Sequence, residues 1–393
     1  MSALKVIFWT SLVIVFYGYF GYGLIVFFLV KCKKLLFKPK LLSDNSFQPA
    51  VALIIPAYNE VDFISAKIQN TLELDYPRQK LSIIFITDGS TDGTPGLISK
   101  YPFFTLLHEA ERKGKLAAMN RAMKIVTAPV VIFCDANSLL NRECIHEIVK
   151  HYADPAVGGV AGEKKIYSLT RNAVSVNEGL YWQYESFLKK MDSELYSVVG
   201  AAGELLSLRT SLYETIPENT IIEDFVLSLR VCLKGYIIRY EPNAYAMETS
   251  SVTMNDERER KIRISAGAFQ AMRMLGPLFN IFRYPVLSFQ FISHRVLRWT
   301  LSPVCLGLVF ISNLLLIIYS GSIWYRLLFS LQTIFYILAV MGWFFTTGKT
   351  KNSFLHVPYY FLFMNIAVFM GFFRSVTKTQ SVLWKKVNRQ MGA

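Results

Sequence analysis

The chain has 393 residues, room for one large soluble domain with membrane segments or for two soluble domains. Charged residues make up 18% against the ~25% usual for soluble proteins, and hydrophobic residues 53%, which excludes an ordinary soluble composition. The net charge of +14 does not mark a nucleic-acid binder, because residues 50–259 hold 21 basic and 27 acidic residues while residues 260–393 hold 15 basic and no acidic ones. A basic excess confined to the flanks of apolar runs suits anionic lipid headgroups instead.

Val6 to Val30 carries no charge and is long enough to cross a ~30 Å hydrocarbon layer as a helix. It lacks the short core and small-residue cleavage site of a signal peptide. Lys31, Lys33, Lys34, Lys38 and Lys40 follow, against Lys5 alone before it. The positive-inside rule therefore puts the N-terminus outside and residue 31 onward in the cytoplasm. This predicts a transmembrane helix over 1–31, a basic cytoplasmic linker over 32–49 and a cytoplasmic domain over 50–274.

Within that domain Val51–Ile55, Leu81–Ile86, Phe103–Leu107 and Val130–Cys134 read as strands. Asp62–Glu73, Thr94–Lys100, Lys115–Val126 and Arg142–Tyr152 read as helices between them. The alternation predicts βαβ units and a mostly parallel sheet covered on both faces. Val157–Val160 and Leu205–Leu208 add strands, Glu223–Lys234 a helix stopped by Gly235, and Arg239–Ala246 an extended segment. Thr253–Met274 has helical periodicity, with Arg258, Arg260, Lys261 and Arg263 crowded together. Residues 275–298, with Arg283, His294 and Arg295, suit amphipathic helices lying in the membrane interface.

Residues 299–373 hold two or three transmembrane helices. Trp299–Tyr325 and Leu327–Gly348 are apolar spans; Asn352–Phe373 contains His356 and Pro358. If this third segment crosses, the basic tail 374–393, with Arg374, Lys378, Lys385, Lys386 and Arg389, ends outside against the charge rule. The alternative is a re-entrant or interfacial segment. Cys32, Cys134, Cys144, Cys232 and Cys305 show no CxxC pair or framework spacing, and read as small buried residues in a reducing compartment.

The chemistry-bearing residues sit where apolar strands end, which is where open α/β sheets bind ligands. Asp88 opens Asp88-Gly89-Ser90-Thr91-Asp92-Gly93, whose glycines let a ligand approach the backbone, although Asp and Gly also make plain turns. Asp135 emerges from an apolar strand and needs a partner; a divalent cation shared with phosphate oxygens is one. Lys113-Gly114-Lys115 precedes a helix start, where backbone amides and ammonium groups favour phosphate. Glu223-Asp224 opens a helix, a place for catalytic carboxylates and equally for simple charge complementation. His146, Glu147 and His151 do not match the HExxH zinc spacing.

In order and spacing these motifs resemble the membrane-bound glycosyltransferases of family 2, the group of cellulose, hyaluronan, chitin and poly-N-acetylglucosamine synthases, from Ala50 to Trp299 and across the flanking apolar segments. The resemblance implies an α/β fold: a Rossmann-like, nucleotide-sugar-binding mixed sheet of GT-A type flanked by transmembrane helices. Leu53-Ile54-Ile55-Pro56-Ala57-Tyr58-Asn59-Glu60 is similar to the family's opening strand, which implies Ala57, Tyr58 and Glu60 at the uridine. Thr87-Asp88-Gly89-Ser90 resembles the uracil-binding turn, and Lys113-Gly114-Lys115 with Asn120 the basic loop. Asp135-Ala136-Asn137 resembles the DxD motif, implying Mg2+ or Mn2+ and the diphosphate on Asp135 and Asn137. Gly203-Glu204-Leu205 through Arg209 is similar to the acceptor-side segment. Ile222-Glu223-Asp224 resembles the TED motif, implying Asp224 as catalytic base with Glu223 beside the acceptor. His294 to Trp299 stands in the place of QxxRW, which implies Arg295, Arg298 and Trp299 at acceptor and diphosphate. Three features depart from the pattern: Asn137 replaces an Asp, Arg295 replaces a Gln, and the Phe-x-Val-Thr gating motif has only a loose counterpart in Phe373 to Lys378.

The implied activity is an inverting, metal-dependent transfer of a sugar from a UDP-linked donor to a growing polysaccharide. The enzyme would be integral to the cell (inner) membrane, its catalytic domain cytoplasmic, with export through itself, an oligomer or a partner. A single-addition transferase acting on a lipid-linked acceptor stays open beside it. A nucleotide-sensing transporter is disfavoured by spans without acidic residues, and an inactive scaffold by the presence of Asp88, Asp135 and Asp224.

Overall fold

The computed structural model describes residues 1–37, 44, 46–167, 173–249, 254–346 and 353–383. Lys38, Lys40, Thr253, Asn352, Lys385, Lys386 and Arg389, each singled out above, lie outside these. The N-terminal helices are α1 (Ser2–Phe16) and α2 (Tyr22–Leu36); α3 (Val61–Leu72), α4 (Thr94–Ile98), α5 (Lys115–Met123) and α6 (Cys144–Val149) follow. Then come α7 (Ala173–Leu195), α8 (Glu223–Leu233), α9 (Met254–Met274), α10 (Pro285–Gln290), α11 (Leu297–Trp299), α12 (Leu301–Ser320), α13 (Ile323–Thr346) and α14 (Ser353–Val376).

The strands are β1 (Val51–Ala57), β2 (Leu81–Asp88), β3 (Thr105–Glu109), β4 (Val130–Cys134), β5 (Leu139–Leu140), β6 (Val157–Tyr167), β7 (Leu205–Arg209) and β8 (Ile237–Thr249). They form one sheet in the order β3-β2-β1-β4-β7-β6-β8-β5. The first four are parallel, as βαβ alternation dictates. The other half is mixed: β7 runs antiparallel to β4 and β6, β6 and β8 are parallel, and β5 returns antiparallel to β8. The expectation of a mostly parallel sheet thus holds for half of it, because β7 is reached through a long helix rather than through a right-handed crossover.

Strand alternation builds a core on each face. Ile54, Ile84, Ile86, Val131 and Phe133 pack with Leu116, Met119, Val226 and Leu229 on one face. Leu53, Ile55, Phe85 and Ile132 pack with Ile64, Ile68, Ile145 and Ile148 on the other. Four of the five cysteines are buried; Cys32, on the α2 end, is exposed.

Helix α7 has no counterpart in the sequence reading. It packs Leu188 and Met191 against Tyr22, Val26 and Val30 of α2, yet also buries Glu185, Lys189 and Asp192. Charges on the inward face erase the apolar stripe by which a helix is recognised.

A π-helical turn at Tyr17–Gly21 joins α1 to α2. Among the described residues, four helical segments are long and apolar enough to cross a membrane: Ser2–Leu36, Leu301–Ser320, Ile323–Phe344 and Leu355–Val376. α1 lies against α12, with Gly18 on Ser302 and Phe8 edge-on to Tyr325 at 5.6 Å. α2 continues past this bundle onto α7. α14 lies along α9: Tyr360 reaches Glu257 at 3.2 Å, Phe372 meets Phe269 at 5.1 Å, and Arg374 pairs with Glu259 at 2.9 Å. The end of α14, with its basic residue, therefore lies against α9.

Gly200 holds φ +85°, with the Phe225 ring standing where a Cβ would project. Phe225 follows Asp224 and packs on Trp299 at 5.3 Å. Gly200→Ala combines left-handed backbone strain with overpacking, so a destabilisation of about 1–3 kcal/mol is expected. Thermal melting of the purified protein checks it; an unchanged midpoint would remove the constraint.

Candidate active site

At the end of β2 the buried Asp88 turns its carboxylate into the loop that follows β3. Its Oδ2 accepts from the backbone N–H of Lys113 at 3.0 Å and of Gly114 at 2.6 Å, and Oδ1 pairs with Arg121 at 3.2 Å. Gly89 sits at φ +69°, with the backbone of Arg112 2.8–2.9 Å from where a Cβ would stand, so only glycine lets this loop close. The Arg112 guanidinium lies 3.6 Å over the Tyr58 ring. Pro56, Ala57, Tyr58, Asp88, Arg112, Gly114 and Leu383 line one small pocket with stacked, cationic walls. Glu60 opens onto the larger cavity instead. Lys113 directs its side chain to Glu111 in solvent, 3.3 Å away, and Asn120 accepts from Tyr213 at 2.7 Å. Neither lines the site.

Lys115, first residue of α5, points the other way. Its Nζ lies 2.6 Å from Asp135 Oδ1 and 3.1 Å from Glu223 Oε1, with the Gly203 carbonyl at 3.5 Å. A Cβ on Gly203 would stand 3.3 Å from Asp224 Oδ2, so the chain before Glu204 lies against the second acid of the pair. Ends of β4, α5, α8 and the loop before β7 thus converge on one ammonium. The cavity around them, about 880 Å³, is lined by Asp135, Asn137, Glu204, Glu223 and Asp224 and by Tyr181, Trp182, Tyr184, Trp299 and Tyr360.

The electrostatics separate the acids into roles. Burial, then the charge of Glu223, pushes Asp224 up to about 7, with Lys115 opposing. Burial also raises Asp135 against the pull of Lys115. Burial disfavours the Lys115 ammonium, but Asp135, Glu223 and Asp224 outweigh it and hold its pKa well above the usual value. Glu204 is held below the carboxylate range because Lys164 outweighs its burial. Asp224 sits where a general base operates.

Asp135 and Asn137 are hard oxygen donors in one loop, and the charges of Glu204 and Glu248 leave an excess of negative potential at Asp135. That donor set fits a divalent cation. No three His, Cys, Asp or Glu among the described residues group to hold a metal unaided, so a cation on Asp135 and Asn137 would need further oxygen ligands from water or a ligand's phosphates. His151 is bound to Glu241 at 2.7 Å.

Arg295 and Arg298 both grip Glu185 of α7, at 2.9 and 2.6 Å, and donate to Val199 O and Gly18 O at 3.1 Å. They line the cavity while tying α7 to the N-terminal helix. The same x-x-Arg spacing recurs at Arg260 and Arg263 of α9, which the sequence reading left unassigned. Arg263 donates to Ile221 O at 3.2 Å, just before Glu223-Asp224, and feels the charges of Glu223, Asp224 and Asp135. Gly267, whose Cβ would come within 3.0 Å of Ile221 and Ile222, brings α9 that close. The Arg260-x-x-Arg263-x-x-x-Gly267 pattern was the available signal.

A sheet of this order with acids at its strand ends has the GT-A type of fold. Residues 52–216 match the family model Glycosyl transferase family 2. A poly-beta-1,6-N-acetyl-D-glucosamine synthase of Staphylococcus aureus is 25% identical over 229 residues, 56% of this chain and 55% of that protein. The Staphylococcus epidermidis synthase of the same description is 22% identical over 297 residues, 73% of this chain and 71% of that protein. The chain thus spans little more than half the length of the first relative. A mannosyltransferase of Pyrobaculum calidifontis, solved in complex with GDP-Man and Mn2+, superposes with a TM-score of 0.70 at 23% identity, covering 95% of this chain and 99% of that one. This likeness extends the shared fold to the helices outside the sheet.

If Asp224 is the base, nucleotide release in the presence of acceptor rises with pH to a half-point near 7. Glu223→Gln removes a charge that holds the Asp224 proton, so the half-point moves to lower pH. An unmoved half-point would assign the titration elsewhere.

Proposed function

We propose that the protein moves a sugar from a UDP-linked donor to the growing end of a polysaccharide, inverting the anomeric carbon. The observation that carries this is the convergence of Asp135, Glu223 and Asp224 on Lys115, beside a pocket whose Tyr58 and Arg112 suit a nucleobase. Tyr58 and Lys115 line both the small pocket and the large cavity, so base and diphosphate have a continuous seat. Asp224 takes the proton from an acceptor hydroxyl. Attack on the sugar face opposite the diphosphate inverts the centre, as in inverting hydrolases. Lys115 and Arg263 direct positive charge at the departing diphosphate. Asp135 and Asn137 hold Mg2+ or Mn2+, which when bound stabilises charge on the leaving oxygen.

The synthase relatives support a polysaccharide product. The apolar helices support an integral protein of the inner membrane with this domain in the cytoplasm, and export by the chain itself, an oligomer or a partner. A single transfer to a lipid-linked acceptor is the second reading, favoured by Tyr19, Phe20, Phe361, Met364 and Val368 of the apolar helices on the cavity wall.

Purified protein screened against UDP- and GDP-sugars, with the product sized, tests both. A ladder means chain growth and one added sugar means the second reading; no nucleotide release from any donor sinks both. Asp224→Asn is expected to keep donor binding and lose about 10²–10⁴-fold in turnover, the usual worth of a general base. Asp135→Ala is expected to abolish the metal-dependent part of UDP affinity in calorimetric titration; unchanged affinity would refute that role.

A further inference from the structure

Two polar groups on α7, the Trp182 indole N–H and the Lys189 ammonium, have no hydrogen-bond acceptor among the described residues. Lys189 is only 2% exposed. Both residues nevertheless line the cavity that contains Asp224. Seven residues apart, they stand two turns along one helix face, and the Lys189 Nζ lies 5.3 Å from the Trp182 ring centre.

The neighbouring cations are matched. Lys164 is bonded to Glu204 and Glu248, Arg260 and Lys261 face Glu257, and Arg295 and Arg298 share Glu185. Lys189 makes no such pair. Burial pushes its pKa down, against the more distant charges of Glu163 and Glu204. A buried donor left without an acceptor keeps its full desolvation cost. Two of them side by side on a cavity wall mark a place for the oxygen atoms of a ligand.

Their position says which ligand. Glu204 follows Gly203, which lies against Asp224; Glu204 bonds Lys164, and Lys164 stands 5.1 Å from the Trp182 ring centre. The chain of contacts from the base thus runs through Glu204 and Lys164 to Trp182 and Lys189. Tyr181 and Tyr184 flank it. Aromatic faces with inward donors are what a pyranose, apolar on its faces and oxygen-rich at its rim, requires.

We propose that Trp182 and Lys189 form a second acceptor subsite, which holds the sugar unit next to the one being extended. The acceptor class is therefore an oligosaccharide of at least two units, free or lipid-borne. The proposal rests on the glycosyltransferase reading and adds to it a dependence on acceptor length.

The test uses the full-length protein, the donor that releases nucleotide in the screen, and mono-, di- and tetrasaccharides of N-acetylglucosamine, glucose and mannose as acceptors. The variants are Lys189→Met and Trp182→Phe. They raise KM for the di- and tetrasaccharide by about tenfold, the worth of one hydrogen bond to a charged or buried donor, with little change in kcat. KM for the monosaccharide stays put, and Lys189→Arg restores part of the loss. Equal KM shifts for mono- and oligosaccharides, or none, would overturn the subsite. If Lys189→Met also loses release to water, Trp182→Phe, which keeps an aromatic ring in place, decides alone. Failure of the wild-type protein to release nucleotide from any donor strikes the parent reading instead.

Discussion

One ammonium organises the site. Asp135 and the adjacent pair Glu223 and Asp224 come from two distant parts of the chain, and three carboxylates in one buried cavity repel each other and resist ionisation. Lys115 sets two of them at ion-pair distance and opposes the upward shift that burial and Glu223 impose on the third. Its own place is fixed from behind, because Asp88 binds the backbone N–H of Gly114, the residue before it. Asp88 thus acts on the cavity without facing it: it shapes the loop, the loop starts α5, and the first residue of α5 carries the charge. Strand β2, loop, helix and the acids at the end of β4 and the start of α8 form one mechanical chain.

That dependence explains what could be read in the amino-acid sequence. Parallel strands buried on both faces are near-continuous apolar runs, so β1, β2 and β4 stood out, and with them Asp88 and Asp135 at their ends. Helix α8 stood out by its acidic start and Gly235 stop. The two lysines around Gly114 look equivalent in sequence; only the one that begins the helix turns inward, while Lys113 pairs with Glu111 in solvent. The mixed half of the sheet was less legible. β6 shifts register against β8 at two places, between Val157 and Gly159 and between Gly162 and Glu163, and such bulges break the period of two. α7 was invisible for a different reason, since its buried face is ionic.

The ionic face of α7 also accounts for a departure from the family pattern. Arginine in the place of glutamine at position 295 adds a charge next to Arg298, and two guanidinium groups together need an anion. Glu185 supplies it to both, and although it is buried, Arg295, Arg298 and His294 keep its pKa well below the usual value. Asp192 does the same two helix turns further along, binding His294, Tyr22 and Gln290. A buried ion network adds little net stability, but breaking it by removing one partner leaves an unpaired charge inside the protein. The interface helix, α7 and the N-terminal helix are consequently locked in one arrangement, and they form one wall of the cavity.

Two arginine pairs of identical spacing are sorted by this same logic. Around 295–298 the nearest carboxylate is Glu185, so the guanidinium groups become a structural clamp on the wall. Around 260–263 Arg260 meets Glu257, while Arg263 meets a backbone carbonyl at the entrance to Glu223-Asp224 and keeps its positive potential turned toward the acids. Spacing alone cannot distinguish an anchoring arginine from one aimed at a diphosphate; the location of the matching carboxylate does. Here the deciding carboxylate sits on α7, which makes that helix the element through which the membrane-side frame and the chemistry are held in register.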